Sequence, residues 1–336
     1  MKSQRLSKLI KNKISLKKNE KFAVIIGYNP SSGARSPKLW NRAYHDLGKK
    51  IRMYPLDVEL RNLKKLFELL KNNQFFIGGS ITAPYKIEAI KFIDGIDEKS
   101  KKIGSINTII KKQNKIFGSN TDFDGSLETL KKFKSKKIKN ILIIGCGGAG
   151  KATTLSAVRL LKNSKFYLFN RDKKKLVNFI KKINIKKYQI LNSYKAIERI
   201  KKIDLVINTT SVGFNSWLKS GSKYFNLRFF TPMSDLKKIR KIGNKNDSNF
   251  LNKNLILFNQ NLSSTIRFFK NNPKAKIFDI VYNPNETILI KTCKLFYNYA
   301  VNGDIMNLTQ AVKAFMIVNK IKNMNRIIKS MKSNGQ

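Results

Sequence analysis

A glycine-rich turn near the middle of the chain has the spacing of a dinucleotide-binding loop. The pattern G-x-G-x-x-G runs from Gly145 to Gly150. Glycines at these positions allow a tight turn and a close approach of the backbone to a pyrophosphate, which the N-terminus of a following helix also attracts. A purely structural turn is the alternative, because glycine-rich turns also occur by chance. The spacing predicts phosphate contacts by Gly145, Gly147, Gly148, Ala149 and Gly150.

The end of the next predicted strand indicates which dinucleotide this loop would bind. A protein that prefers NAD carries Asp or Glu there, because a carboxylate accepts hydrogen bonds from the ribose hydroxyls. Here the strand is followed by Asn170 and Arg171. A guanidinium can clamp the oxygens of a 2′-phosphate, and Lys173–Lys175 adds positive charge. The sequence therefore predicts NADP as the cofactor, although a surface role for Arg171 is the alternative.

Two segments of the first half carry polar residues that packing alone does not explain. One is Gly78–Lys86, a predicted strand that ends in a proline turn and presents a lysine near a helix start. The other is Ile103–Thr108, followed after a short hairpin by Gly118–Gly125. Together these segments supply an amine, two amides and a carboxylate, which predicts a polar site. Taken singly, Lys86 would be interpreted as an exposed lysine.

The elements that must position these residues alternate between apolar, β-branched runs and segments of helical period. This alternation predicts an α/β fold, with a mostly parallel sheet covered by helices. In the first half the predicted strands are Phe22–Ile26, Ile51–Val58 and Phe75–Ile81, and the predicted helices are Pro37–Lys49, which Ser36 opens, and Leu60–Leu70.

A second unit of the same kind begins near Lys139. Its predicted strands are Ile141–Ile144, Phe166–Phe169, Leu205–Ile207 and Ile277–Val281, and its predicted helices are Lys151–Leu161, Ile288–Ala300 and Met306–Ile321. Between about 214 and 275 the pattern weakens into a stretch rich in Asn and Lys, which predicts an insertion with partial structure of its own. Long loops beside a site often act as lids or interfaces, and a surface decoration without function is the alternative.

Composition bounds the class of protein. With 336 residues, 41% of them hydrophobic, the chain suits two compact domains. No apolar run approaches the roughly 20 residues of a membrane span, so we expect no membrane association. Cys146 and Cys293 lack the spacing of a metal or disulfide framework, so we expect no metal and a cytoplasmic location. Residues 1–20 are basic and polar without the core of a secretory signal, and we expect them to be poorly ordered.

The net charge of +49 would also suit a nucleic-acid-binding protein. The excess of lysine is spread along the chain, however, and falls between apolar positions of predicted helices, where charge runs are usually solvated faces. No nucleic-acid recognition motif accompanies it. We therefore expect no nucleic acid as the main partner.

Several blocks, in order along the chain from about Phe22 to Phe315, resemble the signature blocks of the shikimate dehydrogenase family. Lys86 falls on the lysine of the family's N-V-T-x-P-x-K block, in which Ser80 here replaces the Asn. Asn107 falls on the A-V-N-T block and Asp122 on N-T-D. Downstream, Asn208–Gly213 resembles N-A-T-S-V-G, Asp279–Thr287 resembles D-x-x-Y-x-P-x-x-T, and Gly303–Gln310 matches the last block in spacing.

The resemblance implies two α/β domains with a cleft between them. Residues 21–125 would form the substrate-binding domain, completed by C-terminal helices at about 300–330. Residues 126–299 would form a Rossmann-type NADP-binding domain that carries the insertion at about 214–275. The implied reaction is reversible hydride transfer between NADPH and 3-dehydroshikimate, giving shikimate, in the chorismate pathway of aromatic amino acid biosynthesis.

The resemblance also implies residue roles. Lys86 would donate the proton that the developing alkoxide needs, and Asp122 would hold Lys86 and a substrate hydroxyl in place. The remaining implied contacts are Thr82, Asn107 and Gln310 with ring hydroxyls, Ser36 and Tyr282 with the carboxylate, and Thr210, Val212, Gly303 and Met306 beside the nicotinamide half of the cofactor.

The chain departs from the family in the loop that binds the substrate carboxylate, N-P-x-x-H-S-x-S-P. Ala34 replaces the first serine of that pattern and Gly33 its histidine. Losing one hydrogen bond to a charged carboxylate weakens binding by ~1.5 to 3 kcal/mol. Arg35, Ser31 or Ser32 could compensate.

The departure leaves alternatives open. One is a paralogue acting on quinate, aminoshikimate or another cyclitol-like ring ketone. Another is a catalytically silent protein that binds NADP or nucleic acid, although such a protein needs neither Lys86 nor Asp122. We expect a monomer or a homodimer.

Overall fold

The computed structural model of the chain describes residues 3–17, 19–135, 137–220, 223–236 and 248–332. The fold divides into two compact units, unit 1 with Met1–Gly125 and Asn307–Gln336, and unit 2 with Ser126–Met306. Each unit has its own six-stranded sheet with helices, so the predicted two-domain α/β class is confirmed. Among the described residues, the structure contains no helix with the length and hydropathy of a membrane span.

The described part of unit 1 contains six strands and several helices. The strands are β1 (Phe22–Gly27), β2 (Arg52–Asp57), β3 (Phe76–Ile81), β4 (Gly95–Ile96), β5 (Thr108–Lys112) and β6 (Lys115–Ser119). The helices are α1 (Ser3–Ser7), α2 (Ser36–Asp46), α3 (Leu63–Lys71), α4 (Glu98–Ile103) and α12 (Met324–Lys332), while α5 (Asp122–Leu130) and α11 (Asp304–Asn319) contain the points at which the chain divides.

The sheet of unit 1 has the strand order β2-β1-β3-β5-β6-β4. The crossovers through α2 and α3 make β1 parallel to both β2 and β3, as the alternating pattern predicts. The hairpin β5–β6 turns the chain back, so β3 pairs with β5 in the antiparallel sense. The carboxyl end of β3 therefore lies beside the amino end of β5.

Both faces of this sheet are covered, which explains why β1 is buried along its whole length. Helix α3 presents Leu63, Leu66, Phe67 and Leu70 at helical spacing to one face. On the other face, the apolar stripe of α2 packs with α11, where Trp40 meets Phe315 edge-on at 5.2 Å between ring centroids.

The N-terminal segment differs from the expected poorly ordered lead-in. Leu6 is 1% exposed and belongs to the core of unit 1, and Ile10 forms an isolated antiparallel bridge with Val58. The side chain of Asn12 bonds the backbone of β2 at both Pro55 and Asp57. The expectation was wrong because it weighed the basic charge and overlooked the apolar residues, which recur between the lysines and pack against the sheet.

Unit 2 contains a wholly parallel six-stranded sheet and a separate hairpin. The strands are β7 (Asn140–Ile144), β8 (Lys165–Phe169), β9 (Tyr188–Ile190), β10 (Leu205–Asn208), β11 (Trp217–Ser220), β12 (Lys223–Asn226), β13 (Lys276–Asp279) and β14 (Ala300–Val301). The helices are α6 (Gly148–Leu160), α7 (Lys173–Ile180), α8 (Tyr194–Arg199), α9 (Ser248–Asn271) and α10 (Ile288–Leu295). The order β14-β13-β10-β7-β8-β9 is that of a doubly wound sheet.

The segment that follows α10 corrects one predicted element. The sequence predicted a helix over Ile288–Ala300, but α10 ends at Leu295 and Ala300 pairs with Ile277 in the sheet. Tyr297 has a φ of 56°, a left-handed conformation that ends a helix. Residues 300–306 therefore belong to unit 2, whereas the sequence analysis grouped them with the C-terminal helices of the first domain.

The stretch at 214–275, which the sequence predicts to be an insertion, contains regular elements. It contains the hairpin β11–β12 and the 24-residue helix α9. Residues 221–222 and 237–247 lie outside the described residues. Phe268 and Phe269, near the end of α9, are fully buried in a core of unit 2, so this helix is part of the folded unit.

Candidate active site

Lys86 follows the carboxyl end of β3, on a turn that several backbone bonds hold. Thr82 N–H donates to Ile26 O at 2.8 Å, and the Tyr85 hydroxyl donates to Val58 O at 2.6 Å. The carbonyl of Lys86 accepts from Ile106 N–H at 2.7 Å. These bonds tie the turn to β1 and to the segment before β5, so the lysine is presented by a fixed backbone.

Asp122 is the first residue of α5, where the helix dipole favours a negative charge. Its Oδ2 accepts a hydrogen bond from Lys86 Nζ at 2.6 Å, and the side chains are 4% and 19% exposed, respectively. The amine and the carboxylate therefore meet, although 36 residues separate them in the chain. A charged pair with its cationic end still open to water can hold a ligand hydroxyl and exchange a proton with it.

Asn107 connects this pair to the rest of unit 1. Its Nδ2 lies 3.0 Å from three acceptors, which are Asp122 Oδ1, Thr121 Oγ1 and Gln310 Oε1. An amide nitrogen has two hydrogens, so these acceptors share them. Its Oδ1 accepts from Thr121 N–H at 2.7 Å, which fixes the orientation of the amide. Asn107 is 1% exposed and acts here as a support for the carboxylate.

Gln310 joins the network from α11. Besides accepting from Asn107, it donates through Nε2 to Asn307 O at 3.0 Å, and its backbone carbonyl accepts from Thr121 Oγ1 at 2.9 Å. The structure thus brings together four residues that the sequence predicted, namely Lys86, Asp122, Asn107 and Gln310.

Thr82 lies at the carboxyl end of β3, on the same turn as Lys86. Its methyl group packs on Gly27, where an added Cβ would lie 2.4 Å away. Position 27 therefore requires glycine, because the two strand ends approach so closely. Thr82 remains partly exposed.

The loop after β1 contains the predicted carboxylate contact Ser36, which begins α2 and is 6% exposed. Ser31 donates to the buried Asp57 through both its backbone N–H at 2.9 Å and its hydroxyl at 2.5 Å. Ser32 bonds Asn29 O at 2.9 Å. The hydroxyls of Ser31 and Ser32, which could have compensated for the serine missing at Ala34, therefore stabilise the loop itself.

Ala34 and Arg35 stand between those serines and Ser36. Ala34 packs against the apolar cluster of α2 and α11, which explains an apolar residue at that position. Arg35 is half-buried and precedes α2 directly. It is the cationic side chain that this loop carries.

In unit 2, the glycine loop has the geometry that a pyrophosphate requires. Gly145 has a φ of 108°, and a Cβ there would lie 2.6 Å from Thr209 Oγ1. A Cβ at Gly150 would lie 2.7 Å from the same oxygen, whereas one at Gly147 would meet no atom of the described residues within 4 Å. The loop is thus tightly packed on one side and open at Gly147, the N-cap of α6, so its residues fit the phosphates of a dinucleotide.

Asn170 and Arg171 follow β8, beside this loop. Asn170 Oδ1 accepts from Cys146 N–H at 3.1 Å, so this side chain shapes the glycine loop. Arg171 is exposed, and Asp172 caps α7 by accepting from Lys175 N–H at 2.9 Å. Burial raises the pKa of the Cys146 thiol to about 11, so this cysteine is a small neutral residue of the loop.

Asp279 organises the ends of β10 and β13. It is fully buried and accepts from Asn208 Nδ2 at 2.9 Å, from Thr287 Oγ1 at 2.8 Å and from Val281 N–H at 3.0 Å. Desolvation raises its pKa to about 7, although each of these three hydrogen bonds lowers it. Asn208 in turn accepts from both N–H and O–H of Thr210 and donates to Val212 O, which fixes the two predicted cofactor contacts.

The remaining predicted contacts in unit 2 have packing roles in the structure. A Cβ at Gly303 would lie 2.0 Å from Ile280 O, so only glycine fits there. Met306 is 6% exposed and accepts a weak hydrogen bond from Ser126 at 3.5 Å. Tyr282 is half-buried, with its ring edge-on to Phe214 at 5.4 Å. Their contacts with cofactor or substrate stay predictions.

Comparison with known proteins shows which protein family this chain belongs to. Residues 25–109 match the family model of the shikimate dehydrogenase substrate binding domain. The shikimate dehydrogenase (NADP(+)) of Methanosphaera stadtmanae is 30% identical over 298 residues, which cover 87% of this chain and 89% of that protein. The chain belongs to the shikimate dehydrogenase family. The predicted family is therefore confirmed.

Solved members of the shikimate dehydrogenase family share the fold. One, in complex with NADP⁺, has a TM-score of 0.66 and 25% identity, and the match covers 94% of this chain and 96% of that one. The enzyme from Aquifex aeolicus has a TM-score of 0.67 and 25% identity, with coverage of 95% and 100%.

In this shikimate dehydrogenase family member, several residues that support the site were not predicted from the sequence. Thr121 and Thr108 lie in the buried network around Asn107, and Asp57 anchors the loop after β1. Thr121 could have been found, because it stands inside the N-T-D block. Asp57 lies near the end of a predicted strand, a position at which polar residues of α/β folds often serve a site.

Proposed function

We propose that this protein catalyses the reversible, NADPH-dependent reduction of 3-dehydroshikimate to shikimate in aromatic amino acid biosynthesis. The observation that carries the proposal is the 2.6 Å pair of Lys86 and Asp122, supported by Asn107 within a member of this family. The matched relative from Methanosphaera stadtmanae is named for the same activity.

In this mechanism, Lys86 acts on the oxygen of the ring ketone. When NADPH is bound, its nicotinamide supplies the hydride that the carbonyl carbon accepts. The carbonyl oxygen becomes an alkoxide and takes a proton from Lys86 Nζ. Because the Lys86 side chain is 19% exposed, water can return that proton. In the reverse direction, the neutral amine accepts the hydroxyl proton of shikimate.

Asp122 serves as the positioning partner of Lys86. One carboxylate oxygen holds the ammonium and the other is held by Asn107, so the carboxylate cannot rotate freely. Fixing the proton donor in this way lowers the entropic cost of reaching the reactive geometry. We assign the ring hydroxyls to Asp122, Thr82 and Gln310, and the ring carboxylate to Ser36, Arg35 and Tyr282.

The cofactor contacts proposed for unit 2 follow the chemistry of NADP. The open side of the glycine loop, at Gly147 and Gly148, would accept the pyrophosphate. Arg171 would pair with the 2′-phosphate, and Thr210, Val212, Gly303 and Met306 would border the nicotinamide half. We place the activity in the cytoplasm, since Cys146 and Cys293 are buried free thiols. A monomer or homodimer remains the prediction for the oligomeric state.

Steady-state assays test the proposal. The purified protein would be offered shikimate, quinate, aminoshikimate and an uncarboxylated cyclitol, each with NADP⁺ and with NAD⁺, and formation of reduced nicotinamide would be followed. We expect shikimate with NADP⁺ to have the highest kcat/KM. Turnover of shikimate no better than that of the cyclitol would reject the proposal, and a preference for quinate or aminoshikimate would favour the paralogue.

A further inference from the structure

The insertion borders a large cavity in unit 2. The cavity has a volume of about 970 Å³, within the range of small-molecule sites. One wall comes from Asn170 and Arg171 after β8 and from Asn192 and Tyr194 after β9. The opposite wall comes from Phe230, from residues 233–236 and from α9, all within the insertion.

The position of this cavity corresponds to the adenosine end of a bound dinucleotide. In a doubly wound sheet the dinucleotide lies at the carboxyl ends of the strands, and the residues after the second strand meet the adenosine ribose. Here that second strand is β8, next to β7 in the sheet, and β9 is its outer neighbour. The cavity opens beside both carboxyl ends and contains Arg171, the proposed 2′-phosphate contact.

Helix α9 turns one regular stripe toward the cavity. Ile256, Gln260, Ser263 and Arg267 line it at intervals of four, three and four residues, which place them on one face. At 1.5 Å per residue the stripe is about 16 Å long. Such a stripe is long enough to face an adenine ring and its ribose.

Helix α9 is fixed to the body of unit 2 by several hydrogen bonds. Asn261 is buried and exchanges two hydrogen bonds with the backbone of Thr231, at 2.8 and 3.0 Å. Arg267 Nε bonds Glu198 of α8 at 2.5 Å, and Asn271 donates to the backbone carbonyl of Glu198 at 3.0 Å. The wall is therefore held in place relative to α8, which begins at Tyr194.

The groups in the cavity suit adenosine 2′-phosphate. Arg171, Lys173 and Lys195 supply positive charge on the β8 and β9 side. The ring of Tyr194 packs on Phe169 with 4.7 Å between centroids, and the side chain of Ile256 offers apolar surface opposite. Gln260 is exposed toward the cavity, and a side-chain amide can pair with the 6-amino group and N7 of adenine.

We propose that α9 forms the second wall of the adenosine subsite of NADP, with the side-chain amide of Gln260 recognising the amino edge of adenine. This inference rests on the proposed use of NADP. It gives the insertion a role in cofactor recognition, separate from the ring substrate bound by unit 1.

A cofactor analogue tests this recognition directly. KM would be measured for NADPH and for its analogue with hypoxanthine in place of adenine, which lacks the 6-amino group. We expect wild type to prefer NADPH by about fivefold, the value of one net hydrogen bond. Gln260→Ala should raise KM for NADPH and bring the ratio of the two KM values near one. Arg171→Ala should raise both KM values and keep the ratio.

Further variants show whether the effect is specific to Gln260 and to the cavity. Gln189→Ala removes an exposed glutamine of β9 that does not line the cavity, so both KM values should stay as in wild type. Ser263→Trp should fill the cavity and weaken calorimetric binding of 2′,5′-ADP at least tenfold. A Gln260→Ala variant that keeps the wild-type ratio, or a wild type without preference for adenine, would overturn the inference. Loss of the proposed function would appear differently, as 2′,5′-ADP binding without shikimate turnover.

Discussion

The side-chain nitrogen of Asn107 lies 3.0 Å from Oδ1 of Asp122. The other oxygen of that carboxylate accepts from Lys86, so each oxygen has its own partner. A carboxylate held at both ends keeps one orientation, and the lysine that it pairs with keeps one position. The side-chain amine of Lys86 is therefore held in position by buried side chains. These side chains are anchored at the ends of β3, β5 and β6.

The first prediction concerns the proton donor. Lys86→Ala removes the ammonium, and we expect kcat to fall by at least a thousandfold, within the contribution of general acid catalysis. Lys86→Arg keeps the ion pair with Asp122, but guanidinium holds its proton too tightly to give it up, so kcat should fall nearly as far. Both variants should bind NADP⁺ as wild type does, measured by calorimetry. Normal turnover in either variant would remove Lys86 from the mechanism.

The second prediction separates positioning from stability. Asn107→Ala removes a hydrogen bond to a charged group, worth about 1.5 to 3 kcal/mol, so kcat should fall about 10- to 150-fold. Thr108→Val is the matched control, because Thr108 is equally buried and bonds Asn107 Oδ1 at 3.1 Å. We expect both variants to lower the urea midpoint, but only Asn107→Ala to lower kcat strongly. Equal losses of kcat would assign Asn107 a structural role only.

Much of the fold follows from the sequence because local patterns specify it. The alternation of apolar runs with helical spacing predicts the parallel strands of both units, and the glycine spacing predicts the turn from β7 into α6. Elements without a strong local pattern were not predicted. Strand β14 has two residues and forms because the edge of β13 pairs with it. Helix α9 was not predicted, because its sequence is rich in Asn, which weakens the apolar pattern of a helix.

The site was predictable where its blocks are contiguous. Lys86, Asn107, Asp122 and Gln310 stand in recognisable segments, and the structure joins them in one network. Contacts between distant segments were not predictable, because pairing is set by the folded chain. The sequence could not show that Asp57 holds Ser31, 26 residues away, or that the insertion faces the cavity beside Arg171.

The third prediction concerns the carboxylate of the substrate. Ser31 and Ser32 already bond Asp57 and Asn29, and the methyl group of Ala34 packs into the core. Arg35 is the cationic side chain of this loop, and a guanidinium can bind a carboxylate by a bidentate pair. We expect Arg35→Ala to raise KM for shikimate at least tenfold with little change in KM for NADP⁺.

Arg42→Ala provides the comparison for Arg35, since it removes the same charge from the following helix. Its KM for shikimate should remain within twofold of wild type. If Arg35→Ala and Arg42→Ala give the same KM, the carboxylate is bound elsewhere, and Ser36→Ala becomes the informative variant.

The fourth prediction concerns pH and the buried Asp279. Burial raises the pKa of this carboxyl to about 7 in the folded protein, above the value near 3.9 expected when unfolded. Between these values the folded state binds more protons than the unfolded state, so stability falls as pH rises. The stabilising contribution is complete below about pH 4 and is lost by about pH 7, with a loss on the order of 4 kcal/mol.

Asp279→Asn removes this titration while keeping the size and polarity of the side chain. Urea midpoints would be measured from pH 5 to pH 8 for wild type and for this variant. We expect wild type to lose stability relative to Asp279→Asn across that range, because only wild type must ionise a buried carboxyl. Asp204→Asn is the control, since Asp204 is a partly exposed aspartate that accepts two backbone N–H bonds and its variant retains Asp279. The wild-type slope should persist in that control. Parallel curves for wild type and Asp279→Asn would mean that the three hydrogen bonds to Asp279 compensate its burial fully, and that the carboxylate is charged throughout.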